Sequence, residues 1–482
     1  MTLREMVKRL PYPVRQGAKY VYGTLPPRIR YGRVFWETYN FLQESQWWSK
    51  EKLEEYQMQQ LSKLLHHVYE NVPYYRRVFD ERGLKPNDIQ DFSDLRKLPY
   101  LTKDTFKARA KELLARNFDP GKLPTSHTSG TTGKALQFFE DPFTSQKEWA
   151  FICHQWSRVG YKPGDLRVEL RGPVNRDKPV YYDPASKVLR LSPLIDGKEI
   201  AIYYLKKIQN TGAKFLHGYP GAIASFAYAI ERYRLTVPFK LRAVLFASEA
   251  VYDWERKLVQ EVFNCRVFSH YGMAEKVVLA AECEHSHQYH CLPQYGITEI
   301  DPDTREIIGT GFLNYANPFI RYRTTDIAST PISSKCEKCG RNYYPVFAKV
   351  EGRLEDFIVT PEGALIAPAI ITHPFKDLKT VKDTQVVQED VDLVVVRAVP
   401  WEGKDSQALQ VELRQLCQDL QAILGKSVQV KWEIVEEIER TTSGKFKWIV
   451  SEVYRDLAKR NLGQVEAKNG AAKGIIYWTD PA

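Results

Sequence analysis

Residues 128–134 read Thr128-Ser129-Gly130-Thr131-Thr132-Gly133-Lys134. Gly130 and Gly133 allow backbone conformations in which successive N–H groups converge on an anion. The threonines, the serine and the lysine add hydroxyl donors and a positive charge. Such a loop suits a polyphosphate. It is not the P-loop, which has a longer gap between its glycines and a Ser or Thr after its lysine. Here two residues separate the glycines and Ala135 follows Lys134. By composition alone an ordinary Ser/Thr/Gly loop fits equally well, so the reading turns on what lies downstream.

Downstream come, in order, Ala247-Ser248-Glu249, Tyr271-Gly272-Met273-Ala274-Glu275, Tyr322-Arg323-Thr324-Thr325-Asp326, Gly352-Arg353-Leu354-Glu355-Asp356 and Arg440-Thr441-Thr442-Ser443-Gly444-Lys445. With the loop at 128–134 this ordered series resembles the adenylate-forming superfamily of acyl-CoA synthetases, adenylation domains and luciferases. Within it the chain is most similar to the phenylacetate–coenzyme A ligase branch, and especially to relatives encoded with capsular polysaccharide genes. Glu70-Asn71-Val72-Pro73-Tyr74-Tyr75-Arg76, Leu98-Pro99-Tyr100-Leu101-Thr102-Lys103 and Leu216-His217-Gly218-Tyr219-Pro220 carry that narrower likeness. The resemblance spans roughly residues 35–460.

The resemblance implies ATP, Mg²⁺ and a small carboxylic acid as reactants. Attack of a carboxylate on the α-phosphate joins two anions, so the work is positioning and charge neutralisation. It assigns Thr128, Ser129, Gly130, Thr131, Thr132, Gly133 and Lys134 to the phosphates. Glu275 is the expected Mg²⁺ ligand, since Mg²⁺ prefers carboxylate and phosphate oxygens. Ser248, Glu249, Tyr271, Gly272, Asp326 and Arg353 are the expected nucleotide contacts, with Tyr271 stacked on adenine and Asp326 on the ribose hydroxyls. Lys445 bridges the α-phosphate and the carboxylate oxygen, and Glu355 sits at a hinge. His217 and Tyr219 fall where the family lines its acyl pocket. The acceptor is a thiol or an amine, with coenzyme A ahead of an amino acid or amino sugar. Two residues depart from the family pattern: Ala274 stands where many relatives have Thr, and Thr325 where Gly is usual.

Cys336-x-x-Cys339 has the spacing of a zinc knuckle, and structural zinc takes four Cys/His ligands. Cys283 and His290 complete the set, at positions where some members of the branch carry such a cluster. His285, His287 and Cys291 are competing ligands. The alternative is a group of free side chains in a reducing compartment.

The chain has 482 residues, ample for more than one domain. Helical and apolar strand-like runs alternate between about 120 and 350, which predicts an α/β fold. After Gly352-Arg353 a strand at 391–399, an amphipathic helix at 406–424 and a strand at 427–435 predict a small α+β unit. The expected architecture is therefore a large N-terminal α/β domain (1–351), a small mobile C-terminal α+β domain (352–463) and a tail (464–482). Lys and Arg number 69 against 59 Asp and Glu, a net charge of +10. Arg4, Lys8, Arg9, Arg15, Lys19, Arg28, Arg30 and Arg33 face Glu5 alone within residues 1–34. This basic arm is either solvated or a weak contact for anionic lipid. No nucleic-acid-binding motif appears. No apolar run reaches the roughly 18 residues of a membrane span, and charges interrupt any signal-peptide core at the N-terminus. A cytoplasmic protein is expected, and a homodimer is left open.

Overall fold

A computed structural model describes residues 12–128, 136–172, 175, 177–195, 197–329, 331–333, 336–341, 344–353, 356–361, 365–366, 368–372, 374–375, 378–401, 407–440 and 446–453. The expected basic arm is helical over Tyr12–Thr24 and Pro27–Ser45. Not all of it is solvated. Arg30 is buried and donates from Nη1 to the Ala185 carbonyl at 3.1 Å. Lys19 lies 3.8 Å from the Asp183 carboxylate.

The helix Lys50–Asn71 begins where the Ser49 hydroxyl accepts the Lys52 N–H at 3.3 Å, an N-cap that satisfies an otherwise orphaned donor. Leu53, Leu61, Leu64, Leu65 and Val68 bury one face of it. Pro73 cannot continue the helix, but its fixed φ suits the first turn of the next one, Pro73–Glu81.

Strands β1 (Thr125–His127) and β2 (Gln137–Phe139) pair as a hairpin around residues 129–135. The main α/β body follows: β3 (Arg167–Leu170), β4 (Val180–Asp183), β5 (Val188–Leu191), β6 (Phe215–Gly218), β7 (Ala243–Ala247), β8 (Arg266–Gly272), β9 (Leu279–Glu282) and β10 (Tyr289–Cys291). Next come β11 (Gly296–Ile300), β12 (Glu306–Gly311), β13 (Tyr322–Ala328), β14 (Pro331–Ser333), β15 (Val346–Phe347) and β16 (Val350–Arg353). The large sheet runs β14-β15-β10-β9-β8-β7-β6-β3-β5-β4. Its centre, β5-β3-β6-β7-β8, is parallel, and its edges are antiparallel. Side chains alternate across it. Val168, Leu216, Val244 and Val267 pack under the helices Lys198–Thr211, Pro220–Arg232 and Asp253–Phe263. Phe215, Leu245 and Phe268 meet Phe35, Phe151 and Trp156 on the opposite face. Burial on both faces explains why these strands read as continuous apolar runs.

A second sheet, β11-β12-β13-β16, leans on the first. After it, β17 (Ile358–Val359) and β18 (Leu365–Ile366) form a short hairpin. The chain ends in a sheet of β19 (Val381–Asp390), β20 (Leu393–Pro400), β21 (Gln429–Ile434) and β22 (Ile449–Ser451), ordered β21-β20-β19-β22. The helix Gln407–Leu424 covers it through Leu409, Leu413, Leu416, Leu420 and Leu424. The expected class, a large α/β body with a smaller C-terminal α+β unit, is what is found. Among the described residues no helix is long and apolar enough to cross a membrane.

Candidate active site

In open parallel sheets ligands bind outside the carboxyl ends of the strands. Here β3, β6, β7 and β8 end side by side, at Leu170, Gly218, Ala247 and Gly272. Arg171, Tyr219 and Ser248 follow directly on three of them, and Tyr271 is the next-to-last residue of the fourth. Gly218 is obligatory in this row: a Cβ there would stand 2.3 Å from the Leu170 carbonyl oxygen.

The second sheet brings Asp326 to the end of β8. The Tyr271 hydroxyl donates to Asp326 Oδ2 at 2.7 Å, and Arg353 Nε donates to Oδ1 at 3.2 Å. Arg353 is the cross-strand partner of Asp326 in the β13–β16 ladder, so register alone sets this pair. Beside it the Tyr322 hydroxyl donates to Glu275 Oε1 at 2.9 Å. Burial raises the pKa of Glu275, and the Tyr322 hydrogen bond opposes that shift. Burial, reinforced by the Asp326 charge, raises Tyr271 far above the usual phenol range.

Two of the expected nucleotide-binding segments hold a strained residue. Ser248 has φ +74°, and Thr325 has φ +64°. The left-handed region suits glycine and is costly for a β-branched side chain, which is why glycine would sit easily at 325. Thr325 is held there by Glu306, whose Oε1 accepts its N–H at 2.9 Å. The other oxygen of Glu306 accepts from Arg323 Nε at 2.6 Å. Glu249 Oε2 accepts the Gly221 N–H at 3.3 Å at the start of the helix Pro220–Arg232. Burial drives the neighbouring Glu255 well above the carboxylate range; the Tyr252 N–H opposes this, the Glu249 charge adds to it, and Trp448 donates a counteracting hydrogen bond. The segment 446–448 therefore lies against the body at Glu255.

Thr128 stands at the neck of the expected phosphate loop, where its N–H donates to the Leu136 carbonyl at 2.9 Å and its hydroxyl accepts the Leu136 N–H at 2.8 Å. Ser129, Gly130, Thr131, Thr132, Gly133, Lys134, Glu355 and Lys445 lie outside the described residues. His217 is buried on β6, with its ring 4.8 Å from Trp156, and burial lowers its pKa to about 4. Its Nδ1 faces Glu169 Oε1 at 3.7 Å and its Nε2 lies 3.4 Å from Arg171 Nη1. Tyr219 is buried beneath Arg171, the guanidinium 5.5 Å from its ring centre. Sequence reasoning left Arg171, Tyr322 and Glu306 without roles. The Arg-Val-Glu-Leu run closed by Arg171-Gly172 was the signal for the first.

The four expected metal ligands come together. One ligand atom each from Cys283, His290, Cys336 and Cys339 lie within 4.8 Å of one another. Cys283 follows β9, His290 lies on β10, and the 336–341 turn brings the two remaining thiols to that sheet edge. The Cys283 and Cys336 sulfurs are 3.8 Å apart. Two thiolates at about 2.3 Å from one tetrahedral zinc stand about 3.8 Å apart. Both ring nitrogens of His290 are buried without a hydrogen-bond partner, which a metal bond would satisfy on one side. His287 instead points its Nδ1 toward Glu282, 3.7 Å away.

Comparison with known proteins places this geometry. Residues 358–452 match the CapK C-terminal domain family. Protein CapK of Staphylococcus aureus is 22% identical over 445 residues, 89% of this chain and 95% of that protein. A phenylacetate-coenzyme A ligase of Escherichia coli (strain K12) is 40% identical over 305 residues, 58% of this chain and 67% of that protein. The fold superposes on a crystal structure of 2-hydroxyisobutyryl-CoA ligase in the postadenylation state with TM-score 0.65, at 17% identity, covering 87% of this chain and 94% of that one.

Proposed function

Because the chain belongs to the phenylacetate–coenzyme A ligase-like branch of the adenylate-forming ligases, related to CapK, we propose that it activates a carboxylic acid with ATP and then passes the acyl group to coenzyme A. The observation that carries this reading is the Tyr271–Asp326–Arg353 cluster beside Glu275 and Tyr322, at the carboxyl edge of the parallel strands. In this reading Asp326 accepts the ribose hydroxyls, and Tyr271 and the 248–249 turn hold adenine. Glu275 carries Mg²⁺ against the phosphates, which the loop 128–134 cradles. Lys445 neutralises the charge that builds at the α-phosphate as pyrophosphate leaves. Residues 1–351 act as the adenylation domain, 352–463 as the lid that carries Lys445 and hinges near Glu355, and 464–482 lie beyond it. Cys283, His290, Cys336 and Cys339 hold a structural zinc, and the protein works in the cytoplasm.

The likeness of the N-terminal segments to capsule-associated relatives favours a second acceptor, the amine of an amino acid or amino sugar. Pyrophosphate exchange over a panel of carboxylic acids tests the first half-reaction. It should appear with at least one acid and fall by about two orders of magnitude or more in Lys445→Ala. Exchange at the wild-type rate in that folded variant rejects the assignment of Lys445. Adding coenzyme A or amines to the active acid separates the acceptors: a new thioester supports the first reading, and AMP release only with an amine supports the second.

A further inference from the structure

Arg171 follows directly on β3 at the corner of the active-site row, and among the described residues no carboxylate pairs with it. Its Nη1 lies 3.4 Å from His217 Nε2 and its guanidinium sits over the Tyr219 ring at 5.5 Å. Neither contact supplies a negative charge. His217 is 4% exposed, and burial keeps it neutral at physiological pH, so its ring only orients the guanidinium. The acid on β3 itself, Glu169, is committed elsewhere: its Oε1 accepts Arg167 Nε at 3.1 Å and Nη2 at 2.8 Å and faces His217 Nδ1 at 3.7 Å, and Arg190 stands 3.8 Å from its Oε2.

A half-buried guanidinium without an anion is costly unless an anion arrives with a ligand. The surroundings fit one. Arg171, His217 and Tyr219 come from adjacent ends of β3 and β6, and Trp156 stands 4.8 Å from His217 and 6.2 Å from His270. The Nδ1 of His270 is buried without a hydrogen-bond partner, while that of His217 faces Glu169. β6 separates β3 from β7, so Arg171 lies about 10 Å along the sheet edge from the turn at Ser248. The gap matches the far end of an acid whose carboxylate reacts on the nucleotide side.

We propose that Arg171 receives a second anionic group on the acyl substrate, so that the enzyme activates dicarboxylic acids in preference to their monocarboxylic counterparts. This inference rests on the proposed adenylation. His217 and Tyr219 are its positioning residues: they fix the guanidinium in the pocket without touching the reacting carboxylate.

The test is pyrophosphate exchange with matched pairs, glutarate against valerate and terephthalate against benzoate, for wild type, Arg171→Gln and Arg171→Lys. A hydrogen bond to a charged group predicts a wild-type preference for the diacid of about 10- to 100-fold in kcat/KM. Arg171→Gln should erase it and leave the KM for ATP unchanged, and Arg171→Lys should retain part of it. A wild-type preference for the monoacids, or a preference that survives Arg171→Gln, overturns the proposal. So does a KM for ATP or coenzyme A that rises in Arg171→Gln, since Arg171 then serves a phosphate. If no acid supports exchange, the adenylation reading fails by itself. Calorimetric titration of the same acids into wild type and Arg171→Gln then decides the Arg171 site: diacid binding lost in the variant sustains it, and equal or absent binding overturns it.

Discussion

The Tyr271 hydroxyl and Asp326 share a 2.7 Å hydrogen bond that ties the end of β8 to β13. Arg353 holds the other oxygen of the same carboxylate from β16. A carboxylate has about four acceptor positions, so Asp326 is fixed in orientation and still has capacity for two more donors. That is the state in which a ribose diol would find it.

Tyr271→Phe keeps the ring and removes the bond. If the bond orients Asp326, the KM for ATP rises by about 3- to 10-fold with little change in kcat, the loss of one hydrogen bond. Asp326→Asn, which also weakens the Arg353 pair, should cost more. Steady-state kinetics at saturating acid decides it. An unchanged KM in Tyr271→Phe would leave the ring as the only contribution of Tyr271.

Glu275 carries a pH signature. Burial raises its pKa above the ordinary carboxylate value, and the Tyr322 hydroxyl opposes that shift. A Mg²⁺ ligand must be ionised, so the acid limb of kcat/KM for MgATP should lie above the usual Glu range. It should move down as Mg²⁺ is raised and up in Tyr322→Phe. The stability sign runs the other way from that of a paired carboxylate. With the folded pKa above the unfolded one, the unfolded chain ionises first as pH rises, so Glu275 lowers stability above the ordinary carboxylate range. Glu275→Gln should therefore raise Tm near neutral pH while it removes Mg²⁺-dependent exchange. A variant less stable than wild type at pH 7 and equally stable at pH 4 would refute the argument.

Periodicity made the helix Gln407–Leu424 legible, because it buries one apolar stripe. The apolar strand-like runs between about 120 and 350 were legible because both faces of their sheet are covered. Motif order gathered Tyr271, Glu275, Asp326 and Arg353 as a set. What local pattern could not reveal was pairing. That Arg353 meets Asp326 depends on the β13–β16 register, and that Glu306 props Thr325 depends on a bulged β12–β13 ladder. The helices of 12–45 were hidden for a different reason. Their basic residues mimic a solvated arm, and one of them, Arg30, is consumed inside the fold.

The cysteine cluster predicts about one zinc per chain by elemental analysis. Cys336→Ser, or prolonged chelation, should lower Tm and release the metal together, because bonds to one ion from Cys283, His290, Cys336 and Cys339 would tie the ends of β9 and β10 to the 336–341 turn. His287→Ala should leave both unchanged, since its ring points to Glu282. Metal-free protein with full stability would remove the site.

The N-terminal helices carry a lipid test. Val21 and Ile29 are 66% and 64% exposed, on the same stretch as the exposed Arg28 and Arg33. Apolar side chains beside basic ones suit an anionic bilayer surface. Sedimentation with vesicles of anionic lipid should recover the protein at low salt and lose it at high salt, and Val21→Ser with Ile29→Ser should weaken recovery. Equal recovery with neutral vesicles would leave the arm merely solvated.

Trp401, at the end of β20, is clamped by the large body. It stacks on Tyr228 with centroids 5.3 Å apart and planes at 18°, and meets Tyr233 edge-on at 5.8 Å. The Arg232 guanidinium lies 5.1 Å from its ring centre. The Tyr228 hydroxyl donates to the Leu378 and Lys379 carbonyls, each at 3.1 Å. A second contact, Trp254 against Trp448 at 5.3 Å and 89°, docks the segment just after Lys445. Both favour the orientation in which that segment faces the nucleotide side, which in the proposed cycle serves adenylation. An aromatic pair contributes about 0.5–1.5 kcal/mol beyond buried area, so Trp401→Ala should shift the orientation equilibrium by about 2- to 12-fold. Pyrophosphate exchange should fall by a comparable factor. Acyl transfer from preformed acyl-adenylate should hold or rise, and solution scattering should show a larger radius of gyration. Equal losses in both half-reactions would mean that Trp401 supports stability alone, and unchanged exchange would mean that the clamp does not govern the orientation.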